Sequence, residues 1–357
     1  MQPAQATGSV VTVLGPVAPA ALGLCLPHEH LVCDLDVGLA AQPGAAASAP
    51  PSDEPLGPGN LVRVRRDPLG YRDNLRLDDL ELIAAELSLF AAAAGGAVVD
   101  QTSDDLGRDR AALVRLSRAT GLHVVAGCGH YVARLMPPRV AAASVAELAT
   151  ELVADLCPGT GGAPCGVIGE IGVSPGRIAP VELRVLQAVA AAQRRTGAPV
   201  SIHSTAPGHM GLEALLVLQE HGVAAAQVTV GHLDSPLDAG EPVDLDLCRE
   251  IAGEGALIAF DGFGWEARSA GPPPRSDLRR IEAVATLCAE GLERQLLVSH
   301  DVAMKIQLTA HGGAGYAYLA RRLAPHFARR GVDATALRRI MVDNPARWLT
   351  WGAPAEP

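Results

Sequence analysis

Short apolar runs recur eight times along this chain, with helix-patterned segments between them, and that alternation limits the fold more than any other feature. The runs are Leu24–His28, Ala97–Gln101, His123–Gly127, Gly166–Ile171, Val200–His203, Gln227–Gly231, Ala256–Phe260 and Gln295–Ser299. Segments rich in Ala, Leu, Glu and Arg lie between them, at 78–94, 109–120, 144–156, 180–196, 209–222, 243–254 and 276–291. Runs that are continuously apolar mark strands buried on both faces. Such strands, joined through helices, form a parallel α/β sheet, and eight of them fit a closed (β/α)₈ TIM barrel. A doubly wound open sheet is the alternative. It is disfavoured because the first run leads into PHEHLVCDLD and not into a glycine-rich phosphate loop.

A barrel of about 250 residues plus insertions fits a chain of 357, read here as one domain over 1–357. Residues 1–8 are expected to be disordered, and 38–60, rich in Ala, Pro, Gly and Ser, to form an exposed loop. Aromatic residues are only 3% of the chain, so the core must rely on Ala, Val and Leu. A net charge of −10 without a basic stripe argues against a nucleic-acid partner. The seven cysteines contain no CxxC pair and read as reduced thiols. No Lys or Arg precedes Arg63, so the charged region of a secretory signal is missing. The apolar stretch from Val10 to Leu26 is broken by Gly15, Pro16, Pro19 and Gly23, which makes it a poor membrane span. The expectation is a cytoplasmic protein, partnered by neither nucleic acid nor membrane.

Several of the strands run apolar and then end in a side chain able to hold a metal. His28 and His30 lie in LPHEH, Glu170 in GVIGE, His203 in VSIH, His232 in VTVGH and Asp301 in LLVSHD. In a barrel these C-terminal ends meet at one face, where active sites sit. His28 and His30 are two apart on an extended chain and point to the same side, while Glu29 points elsewhere. Each residue alone reads as a hydrogen-bonded structural group; six at the ends of five strands read as a metal centre. Four imidazoles and two carboxylates suit two divalent ions, zinc first, with manganese, cobalt and iron as alternatives. A carboxylate can bridge such ions and leave a shared position for a hydroxide, a nucleophile at neutral pH.

These residues resemble the phosphotriesterase family of the amidohydrolase superfamily. The shared landmarks are LPHEHL, VVDQTSDDLGRD, AGCGHYV, VIGEIG, SIHST, TVGHLD, LLVSHD and VDNPARWL, and they span nearly the whole chain. The resemblance implies a distorted barrel of the amidohydrolase type with a binuclear centre. His28, His30 and Asp301 would hold the more buried ion, His203 and His232 the more exposed one, and Glu170 would bridge them. Better-known members carry a carboxylated lysine at the bridge. Here Lys305 is the only lysine and lies beyond strand eight, so the bridge needs no dissolved CO₂.

A second departure is on strand seven, where FDGFG places Gly262 at the position of a relay histidine or arginine. HDVAMK followed by HGGAGY looks like the phosphotriesterase-related branch, which hydrolyses N-acetyltaurine. That resemblance implies an amidase for a small N-acyl amide with an anionic tail, working by attack of a metal-bridging hydroxide. Asp301 would carry the proton, Lys305 would pair with the anionic tail, and Tyr131 would lie over the substrate. Asp234, two beyond His232, would orient a ligand or the substrate. Arg108 would reach the site or tie strand two to a neighbouring loop, while His130 and His300 would serve packing. The alternatives are a lactonase or phosphotriesterase on the same centre, and a non-catalytic ligand-binding barrel. The family resemblance also implies a homodimer.

Overall fold

Side chains alternate between two sides of each strand, and both sides are apolar, so the sheet must be covered on one face and filled on the other. The computed structural model describes residues 3–36, 51–157, 162–206, 208–265 and 277–355. Within them eight parallel strands follow one another around a barrel: β1 Leu24–Glu29, β2 Gly95–Asp100, β3 His123–Cys128, β4 Val167–Gly172, β5 Val200–His203, β6 Val228–Val230, β7 Leu257–Phe260 and β8 Leu296–Val298. Cys25, Ala97, Val99, Val125, Val167 and Leu297 fill the lumen as one cluster. Their chain neighbours Leu26, Val98, Val124, Ile168 and Val298 belong to the larger core beneath the helices. The period of two thus sorts adjacent residues into separate layers.

Each strand pairs with the next in parallel, from β1 to β8. The ring closes between β8 and β1 through side chains as well as backbone. His28 N–H donates to Ser299 Oγ at 3.1 Å, and Asp301 N–H donates to the His28 carbonyl at 3.1 Å. The Glu29 carboxylate accepts from Ser299 Oγ at 2.8 Å and from the backbone N–H groups of His300 and Val302, each at 2.9 Å. Glu29 therefore stands in the seam, away from the lumen.

Among the described residues, the longer helices that cover the sheet are α1 Leu80–Ala91, α2 Arg110–Thr120, α3 Val145–Leu156, α4 Pro180–Thr196, α5 Gly211–Glu220, α6 Leu245–Gly253 and α7 Asp277–Ala289. Asp79, Asp109, Ser144 and Asp244 cap four of them by accepting first-turn N–H groups. β2 begins at Gly95, two residues before the apolar run. Gly96 is needed there because a Cβ would lie 2.1 Å from the Leu22 carbonyl oxygen.

A hairpin of Val10–Thr12 and Gly15–Val17 and a C-terminal helix, Asn344–Leu349, close the lower end of the barrel. Trp348 and Trp351 donate their indole N–H groups to the carbonyls of Val200 and Gly166, at 3.3 and 2.8 Å. This floor corrects the expectation of a disordered start. Pro3–Ala6 form a helical turn, Ala6 is buried, and Gly8 N–H donates to Trp351 O at 2.9 Å. Of the 38–60 segment, 38–50 lie outside the described residues; in 51–60, Asp53, Glu54, Pro55, Pro58 and Gly59 are exposed, and the segment is tied down at two points. Ser52 bridges to Tyr71, and buried Asn60 accepts from Gly57 N–H and donates to Pro55 O, both at 2.9 Å. All seven cysteines are free. Among the described residues, no helix is long and apolar enough to cross a membrane.

Candidate metal centre

The six residues singled out by strand-end position come together at the C-terminal mouth. His28 and Glu170 lie within β1 and β4, His203 ends β5, and His30, His232 and Asp301 follow β1, β6 and β8. His232 and Asp301 have φ of +59° and +51°. That left-handed backbone is costly for residues with a Cβ and persists where surrounding bonds over-determine it. Here the Asp261 carboxylate accepts from His232 N–H at 3.0 Å, and the His28 carbonyl accepts from Asp301 N–H at 3.1 Å.

Glu170 stands at the middle. Its Oε2 lies 2.8 Å from His203 Nδ1 and 3.4 Å from both His28 Nε2 and His232 Nε2. Its Oε1 lies 3.4 Å from His30 Nε2, which is 3.3 Å from Asp301 Oδ1. Every imidazole has its other nitrogen held from outside. Asp261 takes Nδ1 of His28 and of His232, at 3.1 and 2.8 Å; Thr102 Oγ1 meets His30 Nδ1 at 2.9 Å; Tyr131 OH meets His203 Nε2 at 3.0 Å. Outer contacts of this kind fix which nitrogen is free to bind a metal.

The electrostatics fit a cation. Burial pushes His28 and His30 down, but neighbouring carboxylates prevail. Asp261 and Glu170 lift His28 to about 9, and Asp301 and Glu170 lift His30 to about 10. Burial would raise Glu170 and Asp261, yet the facing imidazoles hold both below the usual carboxylate range. His203 goes down, because burial and nearby His232 outweigh Glu170. The buried Nε2 of His28 makes no hydrogen bond. Ligand atoms of His28, His30 and Asp301, and of His28, Glu170 and His232, lie within 4.8 Å of one another. Nitrogen and carboxylate donors in this arrangement suit a divalent transition ion.

Asp261 is the residue that strand-end reading missed. It ends the apolar run of β7 as the other candidates end theirs, and the FDG string carried the signal. Lys305 corrects an expectation. Its ammonium is held by Asp73 at 2.6 Å and Asp78 at 3.3 Å, and it does not line the cavities over the centre. The two carboxylates already satisfy the charge that was assigned to a substrate. Asp234 borders a cavity, but its carboxylate is engaged: Oδ2 accepts from Gly262 N–H at 3.0 Å and Arg280 Nε at 2.5 Å, and Oδ1 from Asp261 N–H at 3.3 Å. It positions the end of β7 and through it Asp261. His300 bonds to Glu29 in the seam, at 2.8 Å, and His130 to Asp105, at 3.2 Å. Arg108 ties Asp104 to Asp155 and lines neither cavity over the centre.

Two cavities, of about 230 and 310 Å³, open onto the centre and share Tyr131, Arg134, His203, His232, Trp265 and Asp301. One is walled by Leu35, Leu69, Leu106, Leu135 and Met304, the other by Thr205, Asp234, Ser235 and Asp261. A parallel barrel that gathers imidazoles and carboxylates beneath a cavity at its C-terminal rim defines a metal-dependent hydrolase. The chain matches the phosphotriesterase family over residues 8–349 and belongs to that family. It is 36% identical over 352 residues to an N-acetyltaurine hydrolase of Rattus norvegicus, covering 97% of this chain and 99% of that one. A resiniferatoxin-binding protein from Rhodobacter sphaeroides has a TM-score of 0.88 at 33% identity, covering 99% of this chain and 100% of the other. A lactonase from Listeria monocytogenes has a TM-score of 0.79 at 27% identity, over 97% of this chain and all 100% of that one.

Proposed function

We propose that this hydrolase cleaves a small N-acyl amide with an anionic tail, of the N-acetyltaurine kind, at a binuclear centre. One observation carries the reading: four imidazoles each keep one nitrogen bonded outward and turn the other toward Glu170. His28, His30 and Asp301 would hold one ion, His203 and His232 the other, and Glu170 would lie between them. Two divalent ions there, zinc foremost, would lower the pKa of a water molecule and polarise the acyl oxygen.

The chain's own groups do the rest. Asp301 sits at the edge of both cavities and takes the proton of the attacking water. It then delivers that proton to the leaving nitrogen, which an amide requires because an amine anion leaves poorly. Trp265 Nε1 and Gln307 Nε2 each donate to the Asp301 carbonyl at 3.1 Å and hold that residue in place. Tyr131 fixes His203 and walls the substrate cavity. The identity to N-acetyltaurine hydrolases supports the amide substrate. A lactone is the second reading, favoured by the leucine-lined cavity and the lactonase likeness.

Comparing turnover of N-acetyltaurine, an acyl lactone and paraoxon with the same metal separates these readings. We expect N-acetyltaurine to give the highest kcat/KM; a lactone that is turned over faster overturns the amidase assignment. Activity should also be the same in CO₂-free and bicarbonate-containing buffer, because Glu170 offers a carboxylate to the ions without needing carboxylation.

Metal loading should depend on pH with a definite sign. His28 and His30, raised to about 9 and about 10, hold protons at neutral pH until an ion displaces them. Affinity should therefore rise with pH between 6 and 8, by roughly tenfold per unit for each proton displaced. Calorimetric titration in buffers of different ionisation enthalpy measures the release. Uptake without proton release contradicts the ligand assignment.

A further inference from the structure

An anionic tail needs a cation, and the lysine expected to supply it is held by two aspartates. The carboxylates that line the two cavities, Glu170, Asp234, Asp261 and Asp301, cannot hold an anion. Among the described residues lining the two cavities, Arg134 is the one basic side chain besides the imidazoles of the centre, and it borders both. It is exposed, and among the described residues no carboxylate or carbonyl engages its guanidinium.

Its base, in contrast, is firmly held. Tyr131 N–H donates to Asp105 at 2.9 Å and Ala133 N–H to buried Glu182 at 2.8 Å. Leu135 N–H donates to the Val132 carbonyl at 2.9 Å and closes the turn around Arg134. Gly172 lets this segment lie on β4, since a Cβ there would meet Val132 N at 2.3 Å. A fixed backbone carrying an unengaged cationic head at a cavity mouth is built to meet something that enters.

We infer that Arg134 is the specificity-determining residue for an anionic substrate, pairing its guanidinium with the sulfonate or carboxylate remote from the scissile amide. The inference rests on the amidase reading and deepens it. A planar guanidinium presents paired N–H donors that match the oxygens of either anion, which a lysine would meet only as a point charge. The contact lies away from the reacting carbonyl and is made in the bound substrate as well as in the transition state. Its loss therefore raises KM more than it lowers kcat.

The test uses the metal-loaded enzyme with N-acetyltaurine and its uncharged analogue N-propylacetamide. In Arg134→Gln the ratio of kcat/KM for the two should fall roughly tenfold to a hundredfold, mainly through KM. Arg134→Lys should recover part of the ratio, and Lys305→Gln should keep it. An unchanged ratio in Arg134→Gln, or an equal fall in Lys305→Gln, overturns the inference while leaving the amidase reading intact. If the wild type hydrolyses neither compound, the amidase reading fails, and binding then decides the inference. Propane-1-sulfonate titrated into the metal-loaded protein, followed by tryptophan fluorescence because Trp265 lines both cavities, should bind at least about tenfold more weakly to Arg134→Gln. Equal affinity, or no saturable binding to the wild type, overturns it.

Discussion

Asp301→Asn should lower kcat by at least about a thousandfold while the protein stays folded. Asparagine keeps the shape and one oxygen toward His30, which lies 3.3 Å from Oδ1 in the native chain. It cannot take a proton from water and return it to nitrogen. The backbone at this position depends on bonds the substitution does not touch: its N–H to His28, and its carbonyl to Trp265 and Gln307. The unusual φ of +51° is therefore retained, and asparagine tolerates it better than most residues. Steady-state kinetics on metal-quantified protein, with thermal melting alongside, checks both parts. An Asn variant that keeps kcat within tenfold at full metal content removes Asp301 from proton transfer. Asp301→Ala goes further by deleting a ligand, and there metal content should fall together with turnover.

The barrel was legible because its information is local. β5 has the same bounds, Val200–His203, in the sequence reading and in the structure. The other strands shift by a residue or two at their ends. A strand buried on both faces must be apolar throughout, so its polar terminus stands out against the run. That contrast located His28, Glu170, His203, His232 and Asp301. It could have located Asp261 as well, since Leu257–Phe260 is followed directly by the aspartate.

What local pattern could not supply was the state of a rim side chain. Lys305 is set by Asp73 and Asp78, more than two hundred positions away in the chain, and only the folded mouth brings them together. Asp234 likewise depends on Arg280, a fully buried residue on α7 that no strand-end rule would reach. The N-terminal turn was misread for a related reason. A short stretch of small and polar residues has no core of its own, and Ala6 is buried in the same cluster as Trp351, beside the bond from Gly8 N–H to the Trp351 carbonyl. Composition reports whether a segment can make a core, not whether it is lent one.

Asp261 is where the second large effect is expected, though it touches no proposed ion. Its Oδ2 faces His28 Nδ1 at 3.1 Å and its Oδ1 faces His232 Nδ1 at 2.8 Å, and the carboxylate also takes His232 N–H. An ionised carboxylate is acceptor-only and can serve all three donors. In Asp261→Asn one oxygen becomes an NH₂ group, which can only donate. The imidazole facing it must present a lone pair at Nδ1, and neutral imidazole then carries its proton on Nε2. That nitrogen is the one turned toward Glu170, 3.4 Å away for either histidine, so the wrong tautomer blocks a ligand. Metal affinity should fall roughly ten- to a hundredfold for the histidine affected. Because the atoms that meet substrate are intact, excess metal should restore much of kcat, whereas it cannot rescue Asp301→Asn. Chelator-competition titrations and activity measured against free metal concentration separate the two variants. Unchanged metal affinity in Asp261→Asn would show that His28 and His232 keep their tautomers without it.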